Sequence, residues 1–205
     1  EYHKGRALWI GTTNLDAKRP VIWNIGVIAA TGSPEALALI HQVILASASI
    51  PAIFPPVLIE VEADGNRYDE MHVDGGTASQ IFLYPAGIDW GRVTQKLEVK
   101  GAPRAFLIRN SFLAPDWETV KPQIIPIAGE SINSLIRTQG IGDMYRIYLN
   151  CRRDGLDYNL EYIPDDFDLK TNEIFDPVYM RELFELGYRL AQEGYPWAKA
   201  PPGFE

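Results

Sequence analysis

The sequence predicts an α/β fold built as a single domain over residues 1–205. Short apolar runs typical of strands alternate with longer segments of helical periodicity, and clusters of Gly, Pro and Asp separate them. The chain has 205 residues, 46% of them hydrophobic, which suffices to bury a core. No internal repeat, low-complexity segment or linker divides the sequence.

The first half of the chain is predicted to form four strands and one helix. The strands are expected at 7–14, 21–28, 57–63 and 66–73. Asp64 and Gly65 indicate a hairpin between the last two strands. The helix is expected from Glu35 to about Ala46, because Ser33 suits its N-cap and Pro34 its first position.

The second half is predicted to form two strands and two helices. The strands cover 104–109 and 158–163, and the second is expected at a sheet edge. A helix from about Ile127 to Arg152 has Gly140 and Gly142 as a weak point, where it could divide into two. The last helix, 178–193, is expected to be capped by Asp176 and Pro177. It is expected to bury one face, formed by Met180, Leu183, Phe184, Gly187 and Leu190. The Pro-rich tail, 196–205, is predicted to be loose.

Charge and cysteine content exclude some functions. The net charge of −8 disfavours attraction to phosphate backbones, so no nucleic-acid partner is expected. A single cysteine, Cys151, excludes an intramolecular disulfide and a multi-cysteine metal site. No targeting pattern is visible, and the most apolar stretch, 36–59, is broken by prolines. The sequence therefore leaves the cellular compartment open.

A carboxylate followed by two glycines ends the fourth predicted strand. Asp74 lies where a strand end opens onto a cleft, the usual place for ligands in open α/β sheets. Gly75 and Gly76 permit positive φ and the close approach of another backbone or of a substrate. The same tripeptide also suits an ordinary turn, so the pattern alone leaves both interpretations open.

The segment after the first predicted helix is rich in small and apolar residues, and Pro51, Pro55 and Pro56 restrict its backbone. It is either a rigid connection to the next strand or an apolar wall beside the cleft that Asp74 faces.

Taken together, three segments resemble the patatin-like phospholipases, a family of acyl hydrolases. They are Trp-Ile-Gly-Thr-Thr-Asn-Leu-Asp at 9–16, Ala-Ser-Ala-Ser-Ile-Pro at 46–51 with Phe-Pro-Pro at 54–56, and Val-Asp-Gly-Gly at 73–76. Their order and spacing match the family as far as Tyr84 and Pro85. The resemblance implies a three-layer α/β/α sheet, of which this chain is the C-terminal portion, without the N-terminal strands and the nucleophile turn.

The resemblance also implies a Ser–Asp dyad and a lipid substrate. Asp74 matches the dyad aspartate, which deprotonates the serine so that an acyl-enzyme forms and is hydrolysed. Gly75 and Gly76 would give it clearance. The acyl-binding cleft would be bordered by Ser49, Pro51, Phe54 and Pro55. The implied substrate is a lipid acyl ester, met at a membrane surface, and neither a metal nor an organic cofactor is implied.

The sequence also departs from the family. None of its seven serines stands in the Gly-x-Ser-x-Gly turn that exposes a nucleophile, and no glycine-rich oxyanion loop is present. Gln80 and Phe82 replace the Asn and Pro that often follow the aspartate in relatives. We therefore expect the serine in a segment upstream of Glu1, and this chain alone to be inactive.

Two alternatives remain open at this point. Glu70, His72 and Asp74 alternate along one strand, so they share a face and either bind a metal or form a polar surface on which His72 is solvated. Alternatively, the chain is a non-catalytic interaction module with an exposed apolar surface, able to form homo-oligomers through a sheet edge.

His3 is expected in a frayed terminus and His41 at the core or its boundary. Cys151 is expected to be a structural helix residue rather than a thiol activated by nearby arginines.

Overall fold

The computed structural model describes residues 1–84, 90–96, 101–114, 117, 119–171, 173 and 175–204. The chain is mixed α/β, and its described strands form two small sheets. Its contacts divide it into two compact units, one made of 1–82 and 121–143 and the other of 83–120 and 144–205. Folding as a single domain stays a prediction.

The first unit is built on a four-stranded antiparallel sheet with the strand order β2-β1-β4-β3. The strands are β1 (Trp9–Asn14), β2 (Arg19–Asn24), β3 (Val57–Ala63) and β4 (Asn66–Asp74). The hairpin at Asp64 and Gly65 is confirmed, and both residues have the positive φ that such turns require. Because β1 and β4 are the inner strands, the end of β4 lies in the middle of the sheet.

The second strand is shorter than predicted. The prediction of a strand to Ile28 was wrong, because the chain turns into a helix, α1 (Ile25–Ala30), directly after Asn24. The Asn24 side chain caps this helix by accepting a hydrogen bond from the Val27 amide at 3.0 Å. This local cap outweighs the β-branched, apolar composition that favoured a continued strand.

The predicted cap of the next helix is confirmed. In α2 (Pro34–Ser47), the Ser33 hydroxyl accepts a hydrogen bond from the Ala36 amide at 3.1 Å. The helix packs on one face of the sheet, where the buried side chains of Ile25, Val43 and Ile59 form the centre of a core. This packing fixes the C-terminal end of α2 beside the end of β4.

A single helix, α4 (Ile124–Asp154), replaces the two abutting helices that the glycines left open. It continues through Gly140 and Gly142 without a break. Its residues up to Asp143 belong to the first unit.

The second unit contains a parallel pair of strands, β5 (Arg104–Arg109) and β6 (Asp157–Tyr162), which confirms both predicted strands. Tyr148 on α4 packs edge-on against Tyr158 of β6 at a ring distance of 5.2 Å. Two further helices are α3 (Trp90–Lys96), which was not predicted, and α5 (Pro177–Glu193), which was.

The buried face of α5 differs from the prediction. Met180, Phe184 and Gly187 are exposed rather than buried, whereas Leu183 and Leu190 are half-buried, as is Leu186, which was not predicted. The apolar stripe predicted from spacing is therefore rotated around the helix.

The tail predicted to be loose makes defined contacts within the second unit. Ala198 and Leu160 exchange two backbone hydrogen bonds of 2.9 and 3.0 Å, and Pro201 is fully buried. The ring of Phe204 packs against Tyr148 at 5.2 Å. Residues 196–204 are thus tied down, while Glu205 lies outside the described residues.

Candidate functional site

Asp74 is the last residue of β4, and neighbouring elements hold its backbone on two sides. Its amide donates a hydrogen bond to the Ser49 carbonyl at 3.0 Å. Its carbonyl accepts a hydrogen bond from the Thr13 hydroxyl at 2.9 Å. The strand end is therefore anchored both to β1 and to the segment after α2, which positions the Asp74 side chain.

The Asp74 carboxylate is half-buried, and a single backbone amide orients it. Its Oδ1 atom accepts a hydrogen bond from the Gly76 amide at 2.7 Å. Among the residues that the structure describes, Oδ2 has no hydrogen-bond partner. One oxygen is thus fixed and the other is left to accept a proton or a hydrogen bond from a further group.

Gly75, the first residue of the short 3₁₀ turn after β4, permits a close approach of this turn to β1. A Cβ atom at this position would lie 2.6 Å from the Gly11 carbonyl oxygen of β1 and 2.8 Å from its carbonyl carbon. Neither Gly75 nor Gly76 has a positive φ, so close packing, and not backbone conformation, requires glycine here. The space left by the missing side chain of Gly75 is occupied by the Gly11 backbone, and this holds Asp74 close to β1.

The four residues predicted to border a cleft lie in the segment that follows α2. Ser49 is buried, and its hydroxyl donates back to the Leu45 carbonyl at 2.8 Å, so it supports the segment from within. Pro51 is half-buried, while Phe54 and Pro55 are exposed. Together with the exposed Ile50 and Ile53, the last two place an apolar surface on the segment that contacts Asp74 through Ser49.

None of the seven serine hydroxyls, all of which are in the described residues, hydrogen-bonds to the Asp74 carboxylate. Ser79, which is near in sequence, donates instead to the Asp143 carboxylate at 3.2 Å. Within the described residues, Asp74 therefore has no serine hydroxyl as a hydrogen-bond partner of its carboxylate.

The segment after Asp74 is held by two residues of α4 that no sequence pattern indicated. Asp143 of α4 is buried, and its Oδ2 atom accepts hydrogen bonds from the amides of Gln80 and Ile81 at 2.9 and 3.2 Å, in addition to the bond from the Ser79 hydroxyl. Gln139, one helical turn earlier, donates to the Ala78 carbonyl. These residues are about 60 positions away from their partners in sequence, so no local pattern could have revealed them.

The Phe82 side chain packs against β1. Its ring covers Gly11, where a Cβ atom would lie 3.0 Å from the ring. The two residues that differ from the family pattern, Gln80 and Phe82, thus both contact the rest of the first unit.

The alternative in which His72 is solvated on a polar surface is wrong, because its side chain is fully buried. Its Nδ1 lies 2.9 Å from the Thr12 hydroxyl and its Nε2 lies 3.3 Å from a Glu70 carboxylate oxygen. The Trp23 indole N–H donates to the same Thr12 hydroxyl at 2.8 Å. A proton on Nε2 lets the ring N–H donate to Glu70, and Nδ1 can then accept the Thr12 hydroxyl proton.

The strand face of Glu70, His72 and Asp74 does not form a metal site. Within the described ranges, no group of three or more His, Cys, Asp or Glu side chains is arranged to hold a metal ion. His41 is exposed on α2, so its expected place at the core boundary was wrong, and His3 is exposed in a short 3₁₀ turn. Cys151 is fully buried, and burial raises the pKa of its thiol to about 11, which agrees with a structural residue.

No family model matches this chain, and no curated protein matches its sequence. In the described part of the chain, no helix combines the length and apolarity needed to cross a membrane.

Proposed function

We propose that this chain is the C-terminal part of a patatin-like lipid acyl hydrolase and that Asp74 is the base of its Ser–Asp dyad. The observation that carries the proposal is the Asp74 carboxylate, anchored at the end of an inner strand with Oδ1 held by Gly76 and Oδ2 unpartnered among the described residues. The Trp9–Asp16, Ala46–Pro51 and Val73–Gly76 segments that resemble the family all lie in the same compact unit.

The reaction needs one proton acceptor beside a serine hydroxyl. Asp74 accepts the hydroxyl proton as the serine oxygen attacks the ester carbonyl; the ester C–O bond then breaks, and the proton passes to the leaving alcohol. Water attacks the acyl-enzyme in the same way, releasing a fatty acid and restoring the serine. The serine is supplied by sequence upstream of Glu1. No metal or organic cofactor takes part in this scheme.

The apolar surface of the segment after α2 suits the acyl chain. Ile50, Ile53 and Phe54 are exposed, and they lie on the segment whose Ser49 carbonyl binds the Asp74 amide. Burying such side chains against a lipid acyl chain is favourable by about 25 cal/mol per Å² of apolar surface removed from water. We propose that the lipid, met at a membrane surface, binds against this segment. We also propose that the complete protein has the three-layer α/β/α sheet of the family.

The test is hydrolysis of a short-chain nitrophenyl ester. The 205-residue chain alone should show no turnover, whereas the protein extended upstream through its serine should be active. Asp74→Asn should lower the rate of the longer protein by at least about 10²-fold, the usual contribution of a general base. Asp69→Asn is the matched control, because Asp69 is exposed on the same strand. Turnover by the chain alone that is lost in Asp74→Ala would overturn the proposal.

A second candidate function is supported by the exposed side chains of α4. Ile124, Ile125 and Leu135 are 87%, 85% and 71% exposed, which is unusual for large apolar residues on one helix. A non-catalytic interaction module would cover them with a second copy or another protein. A concentration-dependent dimer in analytical ultracentrifugation, together with an inactive longer protein, would favour this function over the first.

A further inference from the structure

The segment that follows Asp74 is held by one buried carboxylate on a distant helix. Asp143 is only 4% exposed, and a single oxygen, Oδ2, accepts hydrogen bonds from the Ser79 hydroxyl and from the amides of Gln80 and Ile81. Bonds to an ionised acceptor are about twice as strong as neutral ones, and burial strengthens them further. This carboxylate therefore fixes three consecutive residues.

Two further contacts, from Gln139 and Phe82, hold the same segment, and together with the hydrogen bonds to Asp143 they form a clamp. Gln139 lies on the same face of α4, four residues before Asp143, and binds the Ala78 carbonyl. At the far end of the segment, the Phe82 ring covers Gly11 on β1. Since Asp74 caps the turn at Gly75–Thr77 that begins this segment, a shift of residues 78–81 would be passed back to the carboxylate through Gly76.

We propose that Asp143 is a positioning residue for the Asp74 carboxylate: it holds the segment at 78–81 in place so that the Gly76 amide stays aimed at Oδ1 of Asp74. This inference rests on the proposed function, since it assigns Asp143 a part in the same dyad chemistry. Asp143 itself does not touch the reacting atoms. The short 3₁₀ turn at Gly75–Thr77 lies between Asp74 and the segment that Asp143 holds.

The experiment uses the longer protein that includes the serine, and it measures two quantities in wild type, Asp143→Ala and Asp143→Asn. The first is hydrogen exchange at the Gln80 and Ile81 amides. The second is kcat and KM per active site, with sites counted by a fluorophosphonate allowed to react to completion. Glu130→Gln is the matched control, because it also removes one carboxylate of α4 but from an exposed position.

We expect Asp143→Ala to speed exchange at both amides by at least about tenfold, since each loses a charge-assisted hydrogen bond. Its kcat per titrated site should fall by about 10²-fold, as for a catalytic group displaced by about 1 Å, with KM nearly unchanged. Asp143→Asn keeps a neutral acceptor oxygen and should lie between the two. Glu130→Gln should match wild type in both measurements.

The outcomes separate this inference from the function on which it rests. Unchanged exchange at Gln80 and Ile81 in Asp143→Ala overturns the clamp. A purely structural role would reduce the number of titrated sites and leave kcat per site unchanged, which overturns the positioning role. If the wild-type protein titrates no serine at all, the hydrolase assignment fails, and the inference fails with it.

Discussion

Replacing Gly75 with alanine tests the close approach of β1 and the turn after β4 that positions Asp74. The added Cβ atom would lie 2.6 Å from the Gly11 carbonyl oxygen, whereas ordinary contact begins near 3.4 Å. The obstacle is backbone, which cannot rotate away as a side chain can. Either β1 or the turn after β4 must therefore move by about 0.8 Å, a displacement that a close-packed interior does not absorb freely.

The expected cost follows from two effects. Overpacking of this kind costs about 1–3 kcal/mol. The two strands share only three paired positions, from Thr12 to Asn14, so moving them apart also weakens the Thr13 to Asp74 hydrogen bond by about 1 kcal/mol. We expect Gly75→Ala to lower the free energy of unfolding by about 2–4 kcal/mol in total.

Urea denaturation followed by circular dichroism measures this change, with Gly129→Ala as the matched control. Gly129 is within α4, has no atom within 4 Å of a built Cβ, and has no positive φ. Alanine there should raise helix stability by about 0.5–1 kcal/mol. If Gly75→Ala proves as stable as wild type, the two backbones are not in contact at this point, and the account of the Asp74 strand end is wrong.

Three further predictions concern buried or paired groups. His72→Ala should lower the free energy of unfolding by about 2–4 kcal/mol, because it leaves a cavity and removes the hydrogen-bond partner of Thr12 and Glu70. The control, His41→Ala on the exposed face of α2, should have no effect. Equal effects of the two substitutions would contradict the buried network. The hydrogen bond from Arg153 lowers the pKa of Asp154 to about 2, so ionised Asp154 stabilises the fold above about pH 4 and this stabilisation is lost as the pH falls towards 2. In Asp154→Asn, the free energy of unfolding should lack this pH-dependent part. A pH profile of stability identical to that of wild type would refute the prediction. Cys151 should resist a thiol reagent such as dithionitrobenzoate in the native state and react fully in urea; rapid native labelling would show that it is accessible.

The parts of the fold that sequence predicted correctly are those with a local cause. Ser33 caps α2 and Asp176 caps α5 through hydrogen bonds to amides two or three residues away, and Pro follows each cap. The Asp64–Gly65 hairpin likewise depends on two residues with positive φ. Such signals act within a few positions, so reading them requires no knowledge of the tertiary structure.

One local signal was overlooked, and it explains the incorrect second strand. Asn24 is a good N-cap residue, and its side chain starts α1 where the apolar run suggested a continuing strand. Periodicity alone does not separate a short buried helix from a strand in such a run.

The rest of the candidate site depends on partners far away in sequence. His72 is buried because Thr12, 60 positions earlier, supplies a hydrogen bond to its ring. Asp143 binds a segment more than 60 positions before it. Gly75 was singled out from the sequence, but its neighbour, Gly11 on β1, appears only once the strands pair. Sequence could therefore name Asp74 and its glycines and not the groups that hold them.

Covalent trapping tests the central claim most directly. The longer protein is treated with a fluorophosphonate, the modified residue is found by mass spectrometry, and the labelling rate is compared between wild type and Asp74→Asn. We predict one labelled serine, located in a Gly-x-Ser-x-Gly turn upstream of Glu1, and labelling slowed by at least about 10²-fold in Asp74→Asn. Labelling of a serine within residues 1–205, no labelling, or equal rates in the two proteins would contradict the assignment of Asp74 as the dyad base.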